Sequence, residues 1–411
     1  MQWKKVSRVI AYAACCALAA CGSNNDDEVA SIIDGSGAPV PDIAVSGPIT
    51  GFGSVIVNGV HYETDQAEIF INGEQSSEEG LEVGDYISLE AAGASATVIY
   101  AESVVRGAVD SVNAAENTVT VLNQRVRVSG NTIFDANFSG GSLASIPVGE
   151  RLDIRGSGNR SGDIYATRVS KANATVDLLS GAVSSLDTAA MEFRLAGVTV
   201  DYHQVVLGEA LENGQWVSVT GSYSADGNRF TADSLRIRTD KQPLAAGVAT
   251  RIEGLVDSPT QVGFELNGQR VLLQADTQYL GDGTQESLLT GAVVVVEGTT
   301  DVDGALLAES IRFLDTNFVT WDGAVEDFDN LFGVTTNPYN WGTITVADKP
   351  AVIVNVYTAF VGFGADFAAR GAHFGDVRLG DRVYISALAL PESGGWVART
   401  VIINRMPQPA Q

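Results

Sequence analysis

Cysteine is almost missing from this chain. The three in 411 residues are Cys15, Cys16 and Cys21. Beyond residue 21 no thiol is left for a disulfide, a thiolate metal site or a nucleophile. Histidine is as scarce, with only His61, His203 and His373, each in a different part of the chain. A Gly-x-Ser-x-Gly elbow and a His-Glu-x-x-His helix motif are both absent, which removes the common sequence signs of a serine hydrolase or a zinc peptidase. Lysine beyond the first twenty residues is limited to Lys171, Lys241 and Lys349. After the amino-terminal leader no apolar run reaches 18 residues, so no second membrane anchor is read.

The leader itself is clear. Lys4, Lys5 and Arg8 precede the short apolar run Val9 to Ala20, which has the order and length of a secretory signal. Leu18-Ala19-Ala20-Cys21 resembles the bacterial lipobox. That resemblance implies cleavage before Cys21 and lipidation of its thiol. Gly22 rather than Asp follows, which by the same resemblance implies the outer membrane. Removing the three leader bases from 25 leaves 22 against 50 acids. An acidic surface of this kind repels phosphate backbones, so nucleic acid is not an expected partner. It also repels anionic headgroups, leaving the acyl chains as the membrane contact. Residues 21–46 are rich in Ser, Asn, Asp, Gly and Pro and read as a solvated tether.

One two-strand phrase returns five times. Its copies are marked by Gly84 with Ala101, Gly149 with Ala166, Gly214 with Ala232, Gly291 with Ala308 and Gly380 with Ala398, at gaps of 17, 17, 18, 17 and 18 residues. Such constancy indicates internal duplication. Apolar residues alternate after each glycine, as in Ile87 and Leu89 or Val383 and Ile385, the period of a half-buried strand. The intervening residues are polar except for Val295. In the last strand the apolar pair falls three apart, as in Ala166 and Val169, so a bulge is expected. Upstream, Asn58-Gly59, Ala196-Gly197 and Asn267-Gly268 mark tight hairpins. Ser142 to Gly149 and Asp366 to Gly371 suit short helical turns.

These signals predict an all-β chain of five tandem small antiparallel β-barrels, OB-like or similar. The boundaries are 1–20 for the leader, 21–46 for the tether, then repeats at 47–106, 107–176, 177–243, 244–316 and 317–411. Units of that size are marginal alone, so stacking of each on its sequence neighbour is expected. The stretch Gly47-Pro48-Ile49-Thr50-Gly51-Phe52-Gly53-Ser54-Val55-Ile56-Val57-Asn58-Gly59, with Val83-Gly84-Asp85 after it, resembles bacterial envelope proteins built from repeats of the domain-of-unknown-function family numbered 5666. The resemblance implies tandem small barrels in an exported protein and transfers no catalytic residue.

Little else carries chemistry. Asp301-Val302-Asp303-Gly304 has calcium-loop spacing at its start, but Ala305 and Arg312 occupy the fifth and twelfth positions, and turn chemistry accounts for the Asp and Gly. Gly156 to Gly162 is a glycine-rich hairpin loop without a phosphate-loop lysine. The fifth repeat is aromatic-rich, and two readings stand. Trp321, Tyr339, Trp341 and Trp396 form a stacking platform for glycan or a partner chain, or the aromatics fill the core of a terminal cap. The expected function is a non-enzymatic envelope scaffold or binding module that uses no cofactor or metal. Its partners would be the membrane through the anchor and an envelope protein or polysaccharide. A glycan-binding module and a polymer hydrolase with a carboxylate pair are the rivals.

Overall fold

The computed structural model describes residues 42–405 apart from short stretches, the longest being 331–340. The leader, Cys21 and most of the expected tether lie outside the described residues. Strands and five short 3-10 turns make up the described secondary structure. No helix among the described residues is long and apolar enough to cross a membrane.

Each repeat closes into a five-stranded barrel. In the second, Ser103–Asn113 pairs with Thr118–Val121, which pairs with Gln124–Arg127. Gln124–Arg127 runs parallel to Asp163–Lys171, which pairs with Arg151–Gly158, and that strand returns to Ser103–Asn113. The order 1-2-3-5-4, closing back on 1, is OB-like. The third, fourth and fifth barrels repeat this circuit. The first closes through the single bridge between Glu63 and Ser95. Alternation builds the cores. Ile87, Leu89, Leu152, Ile154, Val217, Val219, Val294, Val296, Val383 and Ile385 are all 2% exposed or less. Each contributes roughly 1.5–3 kcal/mol by leaving water.

The hairpins form as their residues dictate. Asn58 and Gly59 take φ of 52° and 76°, and Asn267 and Gly268 take 53° and 84°, the left-handed pair that an Asn-Gly turn supplies. The helical turn expected after Ser142 is present at Leu143–Ser145. The other, Asp366 to Gly371, lies largely outside the described residues; a 3-10 turn is described at Phe374–Asp376.

The bulge is present in all five barrels. In barrels two to five it leaves Thr167, Asp233, Glu309 and Arg399 unmatched in the last strand. In the first barrel the extra residue is Thr97, between Ala96 and Val98. This corrects the reading of the first copy. Ala96, not Ala101, is the counterpart of Ala166, because the hairpin between the last two strands is shorter there. Val104 already belongs to the first strand of barrel two, Ser103–Asn113. The tether is also shorter than expected, since Ile43–Gly51 is a strand.

Sequence neighbours touch as expected, and repeats distant along the chain pair as well. Ile43 to Ser46 of barrel one run parallel to Ala249 to Ile252 of barrel four. Barrel two joins barrel three where Val105 and Arg106 meet Leu179 and Leu178. Barrel five docks through Ala359, Val361 and Ile402 on Val83 of barrel one and Ile133 of barrel two. The outer faces of these barrels are apolar where they meet, as with Tyr165, Leu255 and Val293. Residues 41–411 accordingly form one compact unit.

Close backbone approach at the bulge demands glycine in some copies. A Cβ on Gly221 would lie 2.0 Å from the Thr231 carbonyl oxygen. Gly221→Val is expected to cost roughly 2 kcal/mol or more through forced strand separation. Gly208→Ala, where the added carbon meets open space, is expected to stay within about 0.5 kcal/mol. Urea unfolding midpoints of the two variants check this.

Candidate functional site at the barrel junction

Several clefts open where the barrels meet, among them these two. The first lies between barrels one and four and the segment that leaves barrel three. Ser46, Ser88, Tyr100, Trp216, Lys241 and Gln269 are among its lining residues, and it offers about 70 Å³ to solvent centres. Trp216 begins a strand of barrel three and seats its indole on the Asn267-Gly268 hairpin of barrel four. Glycine is needed there, because a Cβ on Gly268 would lie 2.3 Å from the indole nitrogen. The Lys241 ammonium stands 5.6 Å from the Trp216 ring centre, a cation-π distance. Loss of water around that ammonium holds it down at about 8, against the pull of Asp240. Beside it Arg238 grips Asp240 through two hydrogen bonds of 2.8 and 2.6 Å. Burial pushes the Asp240 carboxyl up, but the charge and hydrogen bonds of Arg238, with the charges of Lys241 and Arg236, together outweigh it and hold the group at about 2.

The second cleft is a chamber between barrels one, two, four and five. Glu253, Arg312, Arg399, Asn58, Asn131 and Tyr357 are among the residues that line it, around about 50 Å³. Glu253 is 6% exposed. Its backbone carbonyl accepts hydrogen bonds from the Tyr86 hydroxyl at 2.6 Å and the Asn267 amide at 2.9 Å. Burial pushes its carboxyl up to about 7, with Arg312 and Arg399 pulling the other way. Burial likewise pushes the Tyr165 phenol up to about 12, and Glu253 adds to that rise. Arg312 lies over the Tyr357 ring at 5.1 Å.

Sequence-expected residues fall mostly elsewhere. Trp321 is 7% exposed and meets Trp396 edge-on at 5.2 Å. Trp396 and Phe328 pack on the same core, with Phe360 and Phe374 inside it. These rings fill barrel five, so Trp321 presents no face for stacking. Trp341 is 37% exposed, and Tyr339 lies outside the described residues. The three histidines are apart and locally engaged. The His61 Nδ1 is 3.1 Å from the Ser54 hydroxyl, the His203 Nδ1 is 2.6 Å from Asp201, and the His373 Nδ1 is 3.4 Å from Asp376. Ser54 is only 8% exposed, too covered for an incoming substrate carbonyl. Asp301 spends a carboxylate oxygen on the backbone N–H groups of Asp303 and Ala305, the turn chemistry expected. Among the described residues no group of three or more His, Cys, Asp or Glu is placed to hold a metal.

The junction residues were readable only in part. In the other barrels the residue before the first-strand glycine faces a polar partner: Ser46 faces Ser88, Arg106 faces Asp153, Ser180 faces Ser218 and Asp322 faces Tyr384. In barrel four Glu253 faces Val295. Val295 was the one apolar exception in the strand pattern, and it marks the place where the outer face of that strand is buried.

Glu253 gives a pH prediction. Its folded carboxyl titrates at about 7, above the ordinary 4.5. The folded state therefore holds this proton more tightly than the unfolded chain does. That contribution is complete below about pH 4.5 and is lost as pH rises through 7. Glu253→Gln should raise unfolding free energy at pH 8 by up to about 3 kcal/mol and change it little near pH 4.5. Denaturant unfolding at the two pH values measures the difference.

Comparison with known proteins agrees with the repeat architecture. The model of a domain of unknown function, DUF5666, matches residues 44–105, 106–170, 180–236 and 248–312. The fifth barrel lies outside those matches. No curated protein matches the chain. Among solved structures, drosophila Unr CSD456 is 16% identical and covers 56% of this chain and 97% of its own, with a TM-score of 0.13. That likeness is too loose to bear on function. Four successive matches span more than half of the chain, and it belongs to the DUF5666 family.

Proposed function

We propose that this protein is a non-enzymatic cell-envelope scaffold or binding module, anchored to the outer membrane by lipid on Cys21. One observation carries the scaffold part. An OB-like barrel commonly binds ligands on the face around its second and third strands. Here the hairpins joining those strands in barrels one, three and four each touch another barrel. Gly268 carries Trp216, Gly59 sits against Tyr357, and the Ala196 carbonyl accepts from Gln124 at 3.3 Å. These repeats are thus turned toward one another, and what residues 41–411 present outward is a single body with 46 acids and 22 bases. Such a surface suits docking to a partner rather than to nucleic acid.

The glycan reading loses the buried Trp321 and retains the exposed Trp341 and the half-buried Trp396 of the four aromatics named for it. For the hydrolase reading, the most perturbed carboxyl is Glu253, and its charged neighbours are two arginines rather than a second carboxylate.

Cross-linked purification of the tagged protein from intact envelopes tests the proposal. The expected result is one envelope protein recovered in stoichiometric amount. Recovery with polysaccharide alone, and loss of that polysaccharide in Trp341→Ala, would overturn it in favour of glycan binding.

A further inference from the structure

The chamber between barrels one, two, four and five is the exception to the charge of the molecule. The chain carries twice as many acids as bases, yet this space gathers two arginines around one carboxyl. The arrangement is built by register. Glu253 pairs with Val295, and Val295 pairs with Arg312, so the three form one row across neighbouring strands of barrel four. Side chains in such a row share one face of the sheet. Arg399 arrives from barrel five at its bulge position, where the extra residue re-aims a side chain. The Tyr357 ring beneath Arg312 at 5.1 Å holds that guanidinium in place. Amides of Asn58 and Asn131 complete the polar lining.

We propose that this chamber binds a small oxyanion between Arg312 and Arg399. Guanidinium groups offer paired N–H donors that match two oxygens of such an anion. The size is suitable: about 50 Å³ holds roughly four waters, the number of oxygens in a tetrahedral oxyanion. The chamber admits a free ion or the end group of a slender molecule. Glu253 gates it. With its proton on, the carboxyl is neutral and can donate to the anion. With its proton off, it competes for the same arginines and repels the ligand. The charged and titratable groups facing Glu253 are Arg312, Arg399, Tyr86 and Tyr165. Burial pushes both phenols up, so they stay neutral across the range in question and the gate is the carboxyl alone.

Isothermal titration of the whole chain with sulfate tests this, because sulfate stays a fully ionised dianion from pH 6 to pH 8. The expected result is about tenfold tighter binding at pH 6 than at pH 8, the ratio of protonated Glu253 at the two values. Glu253→Gln should bind equally at both. Arg312→Met should weaken binding at least about tenfold; if that variant does not fold, Arg312→Lys, which keeps the charge without the fork, should still weaken it. Phenyl sulfate separates the two ligand sources: binding equal to sulfate points to an end group, and its exclusion points to a free ion. Absence of binding at 50 mM sulfate, equal affinity at both pH values in the unmodified chain, or undiminished affinity in the Arg312 variants would overturn the proposal.

Discussion

Closing five strands into a small barrel buries one face of each strand and leaves the other outside. In this protein that outer face carries apolar patches where barrels meet, and the rest of the structure depends on covering them. Val293 to Val296 are all buried although successive residues point to opposite sides of the strand. Two of them face the barrel core, and Val293 is part of a cluster with Tyr165 of barrel two. A unit of some 60 residues has too little interior to be secure alone. Pooling outer patches adds small shared clusters, one among barrels one, two and five and one between barrels two and four, without lengthening any strand.

Polar ties fix the orientation of that pooling. Arginine supplies most of them. Arg168 of barrel two reaches the Val83 carbonyl of barrel one at 2.7 Å and Glu82 at 2.9 Å. Arg155 meets Asp85 at 3.2 Å, Arg236 of barrel three meets Glu102 of barrel one at 2.6 Å, and Arg160 meets Glu265 of barrel four at 2.6 Å. Several of the few bases of an acidic chain thus bridge barrels, while others, such as Arg229, Arg382 and Arg405, pair within one. Exposed pairs of this kind add little stability, but buried ones such as Arg155 with Asp85 leave an uncompensated charge when broken. They specify which barrel goes where more than they hold the whole together.

Much of the single barrel was legible in the sequence, and little of the assembly was. Asn-Gly pairs gave the hairpins, alternation gave the inward residues, and the three-residue offset gave the bulge. The first copy was misaligned because a constant glycine-to-alanine gap matched Ala101 by coincidence, while the true counterpart sat behind a shorter turn at Ala96. Partner choice was hidden for a physical reason. Pairing of Ile43 to Ser46 with Ala249 to Ile252 uses backbone groups, which every residue carries. Outward positions did hold a signal. The second residue after each organising glycine is Tyr86, Arg151, Trp216, Val293 or Arg382. Tyr86, Trp216 and Val293 are the buried ones, all at the junction. A bulky apolar or aromatic side chain on the wet side of a strand marks a contact between barrels. The candidate chamber was less visible, since its arginines and Glu253 lie about 60 to 150 residues apart and meet only in three dimensions.

The parallel pairing of Ile43 to Ser46 with Ala249 to Ile252 has a consequence for how the chain comes into being. Barrel one is made first, but part of its edge has no mate until some two hundred further residues have followed. Contacts so distant along the chain form slowly, and an open strand edge invites wrong partners in the meantime. Barrels two and three, contiguous in sequence, can pair as soon as both are made, whereas the outer edge of the opening strand waits for barrel four. An assembly of duplicated units therefore behaves in folding as one long, indivisible domain.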